Sequence, residues 1–297
     1  MSTPREPAWL IVNADDYGYF RCVSRGILEA ATRGIVTATG VFANAERFAD
    51  DAPALRDCAA LDAGVHLNLT SGQPLTADMR AALARWGGRF PGKFTIAVAL
   101  AAGTVRQQAE QAEWRAQIER CLHAGHAVRI LNSHEHVHMH PRLFPLVQAL
   151  ADEYAIAHVR FTTATMTRAR GAGALARSAI VNALAASVRS RLRRPVARFL
   201  GLECSGRVGR EDLDAVAAQL QPGEVYELMC HPGRFDPAEV GDPRLLRYHD
   251  WERELAALTD ARARTMLEER GIQVVGYRHL QVDGDRLCAR RAVPRSA

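Results

Sequence analysis

Four short segments, far apart in the 297-residue chain, carry side chains able to hold a metal ion and move protons. They are Asn13-Ala14-Asp15-Asp16, the run holding His66 and Asn68, Ser133-His134-Glu135-His136-Val137-His138, and His231-Pro232. Two adjacent carboxylates in a low-dielectric site repel, and one stays protonated unless a cation lies beside it. A divalent ion on one removes that conflict and frees the other as a base. An extended backbone would turn Asp15 and Asp16 to opposite sides and give them different tasks. The plainer reading, an acid capping the next helix, suits a lone Asp better than a pair set among histidines. Residues His134, His136, His138 and His140 recur at every second position, which in an extended chain puts four imidazoles on one face. A solvated loop accounts for His140, whereas the other three need a metal or a substrate. The remaining His123, His126, His158, His249 and His279 read as surface or satisfied core.

Other motifs fare worse. His134, Glu135 and His138 match HExxH, the zinc-peptidase signature, but that motif works on a helix, where i and i+4 share a face. Here it follows a strand pattern, and Pro141 stands three residues beyond His138. Residues Gly171 to Ala176 imitate a dinucleotide fingerprint without the strand that should precede it. Cys230 and His231 are neighbours on a strand and face opposite ways, which disfavours a dyad.

Three of the segments end or directly follow short apolar runs, and the pair His66 and Asn68 lies within one. Strands are expected at Trp9–Asn13, Thr39–Phe42, Ala63–Leu69, Ala127–Leu131, Ala157–Phe161, Val225–Cys230 and Gln273–Val275. Helices are expected from about Phe20 to Arg33 with a stop at Gly34, over Ala45–Cys58, from about Val105 to Ala124, and over Leu143–Tyr154 and Arg253–Arg270. Alternation of this kind implies a parallel sheet, here a (β/α) barrel of about seven or eight strands, or alternatively a doubly wound sheet. Both gather the carboxyl ends of their strands, and so these residues, at one rim. One domain is expected over residues 1–297, with an arginine-rich helical insertion at about 165–205.

Composition narrows the class. With 48% hydrophobic and 24% charged residues the chain is globular, and it has no transmembrane-length apolar run or signal-type leader. Six scattered cysteines without a CxxC pair point to reduced thiols in a cytoplasm rather than a secreted framework. The net charge of +5 is nearly all arginine, since Lys93 is the only lysine, and reads as base-composition bias rather than a nucleic-acid surface.

In order along residues 9 to 280, four blocks resemble the YdjC-like carbohydrate deacetylases: Ile11 to Gly18, Gly64 to Thr70 with Gly72 to Leu75, Ser133 to His138, and Met229 to Pro232. That family includes chitooligosaccharide deacetylases and a branch associated with hopanoid lipid biosynthesis. The resemblance implies a distorted TIM-like barrel, one divalent metal ion and hydrolysis of an N-acetyl group from an amino sugar. Carried over by motif, Asp16, His66 and His134 would hold the metal, Asp15 would be the base, and His231 would protonate the leaving nitrogen. Two histidines and a carboxylate suit zinc, and the resemblance also permits magnesium. Tyr17 stands where Phe is commoner, and Glu135 where Gln or His is commoner. His136, His138, Asn68 and Glu135 are candidates for substrate contact. Arg160 is another, for hydrogen bonds to sugar hydroxyls, with a surface arginine as its alternative.

Between Arg160 and Leu202 there are nine arginines and no acid. A basic amphipathic helix over Leu175–Leu202 could lie on an anionic membrane or bind an acidic, lipid-linked or phosphorylated sugar, and a helix simply packed on the barrel is the alternative. The expected partners are therefore an N-acetylated amino sugar, an inner-membrane surface at the periphery and a second copy of the chain. The competing functions are an HExxH peptidase and a non-catalytic sugar- or metal-binding barrel.

Overall fold

The computed structural model describes residues 6–165 and 172–290. Its centre is β1 (Ala8–Tyr17), whose ten residues are all buried. Its first half, Ala8 to Val12, is a continuous apolar run, which suits a strand covered on both faces, the rule in parallel sheets. The other strands are β2 (Ala38–Val41), β3 (Asp62–Leu67), β4 (Val128–Ser133), β5 (His158–Val159), β6 (Arg198–Leu200), β7 (Val225–Cys230) and β8 (Ile272–Val274). They form an eight-stranded parallel sheet in the order β5-β4-β3-β2-β1-β7-β6, with β8 also paired to β1. The sheet curls into a distorted TIM-like half-barrel. Among the described residues no pairing joins β5 to β6, so the curl stays open there.

Helices follow the expected alternation. They include α1 (Arg21–Arg33), α2 (Phe48–Arg56), α3 (Ala77–Ala82), α4 (Lys93–Ala101), α5 (Gln107–His123), α6 (Phe144–Glu153), α7 (Ala172–Val188) and α8 (Arg210–Ala217). The helix expected over 253–270 is two, after a short α9 (Pro243–Tyr248): α10 (Trp251–Thr259) and α11 (Ala261–Glu269). Asp260 breaks it by capping the second, its side chain accepting from Arg262 N. A hairpin of β9 (Leu280–Asp283) and β10 (Arg286–Ala289) ends the described chain.

The arginine-rich segment departs from expectation. The helix stops at Val188, and five of the arginines, Arg189, Arg191, Arg193, Arg194 and Arg198, fall beyond it, in a 3-10 turn (Arg189–Arg191), an extended stretch and β6. The fold engages each of them. Arg189 lies over the Phe161 ring and Arg191 donates to the Pro141 carbonyl. Arg193 and Arg194 share Asp152, and Arg198 pairs with Glu224. A continuous basic amphipathic helix over 175–202 is therefore absent. Gly171 of the fingerprint-like run lies outside the described residues.

Candidate metal and hydrolytic site

Strand register brings the distant segments together. On β3 and β4, His66 pairs level with Asn132, and on β1 and β7, Ala14 pairs level with Cys230. The next residues, Asp15 and His231, therefore emerge side by side at the carboxyl rim. Gly40 on β2 makes room for the first pair. A Cβ there would come within 3.0 Å of His66 Nδ1 and 3.1 Å of Asn132 Oδ1.

The paired acids do part, though by a different device from simple alternation. The β1–β2 register shifts between Ala14 and Tyr17, and Asp16 adopts φ 74°. A bulge of this kind re-aims one side chain, and Asp tolerates the left-handed region better than most residues. Asp15 turns into a buried network. Its Oδ1 accepts from Asn13 Nδ2 (2.8 Å), Asn132 Nδ2 (2.9 Å) and Arg160 Nη2 (2.9 Å), and its Oδ2 from Arg160 Nη1 (2.6 Å). Burial alone would raise this carboxyl, but Arg160, helped by His66, overrides it and holds the pKa at about 2.

Asp16 turns the other way. Its Oδ1 lies 3.1 Å from His134 Nδ1 and 3.3 Å from His66 Nε2, and ligand atoms of the three residues all fall within 4.8 Å of one another. Hydrogen-bond logic tests whether a cation fits. Asn132 spends its amide N–H on Asp15, so its Oδ1 must accept from His66 Nδ1 at 2.8 Å. That puts a proton on His66 Nδ1 and turns Nε2 toward the Asp16 carboxylate. A cation between these two atoms would satisfy both, and a ligating histidine oriented through its other nitrogen is the usual arrangement. The donor set fits a divalent ion.

The histidine run is not extended. Residues His134–Met139 form a 3-10 turn in which Glu135 (φ 53°) and His136 (φ 57°) are left-handed. The four imidazoles therefore do not share a face, and HExxH has no helix to act from. Of the run, only His134 reaches Asp16. His136 Nδ1 lies 3.2 Å from Thr162 Oγ1, and its ring packs edge-on to Phe199. The His138 ring is fully used, with Ser133 Oγ donating to Nδ1 and Nε2 donating to the Arg160 carbonyl. It pins the loop rather than facing a substrate.

Asn68 is likewise committed to its own loop, donating to Asn44 Oδ1 and the Ser71 carbonyl and accepting from the Thr70 and Ser71 amides. Arg160, expected on the surface or on sugar hydroxyls, is 1% exposed and bridges Asp15 and Glu227. Glu135 stays exposed at the rim and pairs with the sole lysine, Lys93, at 2.9 Å.

His231 is buried beside the pair of acids, its backbone N–H donating to Glu254 Oε2 at 2.6 Å. Cys230 turns away to the Asn13 carbonyl, so the two make no dyad. Four neighbours of these residues escaped the sequence reading. Glu227 and Glu254 are buried acids inside apolar patterns, a signal that was there to be read. Asn132 sits at a strand end among the motif residues. His249, grouped with surface or core, packs against His231 with ring centroids 4.9 Å apart.

Fold and site together define a barrel-type α/β protein with a carboxylate–imidazole group spaced for a metal ion at the carboxyl rim of its sheet. The chain belongs to the YdjC-like protein family, whose profile matches residues 9–269. It is 32% identical over 273 residues to a carbohydrate deacetylase of Geobacillus stearothermophilus, covering 92% of this chain and 98% of that one. It is 31% identical over 278 residues to a chitooligosaccharide deacetylase of Citrobacter koseri, covering 90% and 97%. Among solved structures it resembles an Enterococcus faecalis V583 protein described for cellobiose-phosphate cleavage, with TM-score 0.71, 25% identity and coverage of 92% and 98%. No helix among the described residues is long and apolar enough to cross a membrane.

Proposed function

We propose that the chain, acting as one catalytic unit, is a hydrolase that removes the N-acetyl group from an amino-sugar substrate with the help of one divalent metal ion. Deacetylation of carbohydrates is the activity its relatives are named for. The observation that carries the reading is the division of labour between adjacent acids, Asp16 facing two histidines and Asp15 facing Arg160. Asp16, His66 and His134 would hold the ion, which supplies Lewis-acid chemistry that polarises the acetyl carbonyl and acidifies water. Asp15 is ionised throughout the neutral range and accepts the proton of the attacking water. Arg160, Asn13 and Asn132 keep that carboxylate from rotating. His231 stands where it can protonate the departing nitrogen. Burial, only partly offset by Asp16 and Asp15, keeps its imidazole below the usual range, which makes the protonated ring a readier donor.

The substrate class follows from the relatives, and Glu135, exposed next to His134, is a candidate for contact with it, as is His136. The arginines of the 189–198 stretch are engaged by the fold, so a membrane surface is not part of this reading.

The test is acetate release from N-acetylated sugars, from free chitobiose to lipid-linked N-acetylglucosamine. Each would be run with chelated protein and again after adding zinc, magnesium, cobalt or nickel. Metal-dependent acetate is expected. Peptide cleavage lost in Glu135→Gln and kept in Asp15→Asn would overturn the reading.

A further inference from the structure

His66, His134, His136 and His138 each have a ring nitrogen within hydrogen-bond distance of a protein partner. His231 and His249 differ. Nδ1 of each is buried with no partner among the described residues, and the two rings touch, with centroids 4.9 Å apart at 62°. The fold nevertheless holds His249 firmly. Its ring stacks on Trp251 (4.9 Å, 16°) and meets the edge of Tyr248 at 4.8 Å. Its backbone N–H donates to the Leu245 carbonyl, and Tyr248 Oη is within 2.9 Å of Ser205 Oγ.

The position adjoins the site, since the His249 ring lies against His231, which follows Cys230 level with Ala14 at the carboxyl rim. A ring fixed by packing, its buried Nδ1 without a partner among the described residues, and placed beside the proposed proton donor is arranged for a bond that arrives with a ligand. Burial, with His231 beside it, pushes the ring down to about 3, so it is uncharged. A neutral imidazole offers one donor and one acceptor, which matches a hydroxyl and not an anion.

We propose that His249 contacts the substrate beside His231, taking the sugar hydroxyl vicinal to the acetamido group. The assignment rests on the deacetylase reading, in which His231 faces the departing nitrogen and the vicinal hydroxyl is the next polar group along the ring. A site built to bond a hydroxyl discriminates against an analogue that lacks it, because its own polar group is then stranded.

The experiment uses the metal-loaded protein and its His249→Phe variant, which keeps a ring against Trp251 and removes both nitrogens. His249→Asn, which restores one polar atom, guards against a packing defect. Chitobiose is compared with its analogue carrying hydrogen in place of the vicinal hydroxyl. The intact protein should lose about tenfold or more in kcat/KM on the analogue. His249→Phe should lose about as much on chitobiose and no more on the analogue, with His249→Asn in between. Equal sensitivity of intact protein and His249→Phe to the missing hydroxyl would overturn the proposal.

Calorimetric affinity for chitobiose in an Asp15→Asn background supplies a readout without turnover, with a roughly tenfold loss expected on adding His249→Phe. No acetate from the intact protein, but the same loss of affinity, would sink the deacetylase reading and leave the His249 contact standing. Acetate release with unchanged affinity and unchanged discrimination in His249→Phe would do the reverse. A protein that neither binds nor hydrolyses any N-acetyl sugar overturns both.

Discussion

On the flank built by β1, β4 and β5, Asp15 receives four hydrogen bonds from three residues, and the guanidinium opposite it is bonded on its far side to Glu227. On the flank built by β7 and the loop before α10, Nδ1 of His231 and of His249 has no hydrogen-bond partner among the described residues, and the rings are held by Trp251, Tyr248 and each other. On the proposed mechanism the difference follows from what each flank would have to do. A buried carboxylate without partners would be driven towards its neutral form, so the base needs a fixed cation and fixed donors. An imidazole that exchanges a proton with a leaving group needs its nitrogens uncommitted, and packing can fix a ring without occupying them.

Asp15→Asn is the severest test of the tied flank. It should lower kcat by about 10²–10⁴-fold while leaving metal content unchanged, as measured by elemental analysis beside acetate assays. Arg160→Met should act on folding, because two buried carboxyls lose their common cation. A loss of about 3–5 kcal/mol in denaturant unfolding is expected. His231→Gln should leave stability within about 1 kcal/mol, and the comparison between flanks fails if its loss rivals that of Arg160→Met. Asn132→Ala removes the acceptor that orients His66 and should weaken metal affinity by about 10–100-fold in competition with a chelator.

The smallest effect concerns Glu254 beneath His231. Burial raises its pKa to about 8, with the His231 and Val208 amides only partly opposing. For an acid, a folded pKa above the unfolded value of 4.5 means that its contribution is fully present below pH 4.5. That contribution fades as pH rises through 8. Glu254→Gln should therefore be nearly neutral at pH 4 and raise the melting temperature relative to the unaltered protein by an amount that grows from pH 5 to pH 9. A variant curve parallel to the original across that range would remove Glu254 as the titrating group.

Much of this was legible in residue order. Val225–Cys230 stands as a strand where its apolar run predicts, and the remaining strands lie within a few residues of theirs. The sheet strand that was missed, β6, is three residues long and carries too little pattern to see, and the hairpin of β9 and β10 was missed as well. The motif residues gather at one rim because parallel strands align their carboxyl ends. What misled was local backbone shape. The every-second-residue histidines suggest an extended chain, yet two left-handed residues coil them into a turn and send each ring to a different partner.

The sequence by itself determined the element alternation, the presence of acids and histidines of types that could hold a metal ion, and the placing of one such acid directly beside another. Those follow from periodicity and side-chain chemistry, which are local. Only the tertiary structure decided that Asp16 turns out through a bulge, that Arg160 is an interior cation spent on Asp15 and Glu227, that Asn68 and His138 serve their own loops, and that His249 stands beside His231. Each depends on strand register and on partners 18 or more positions away, save for the loop bonds of Asn68 and His138, whose turns no period of 2 or 3.6 describes.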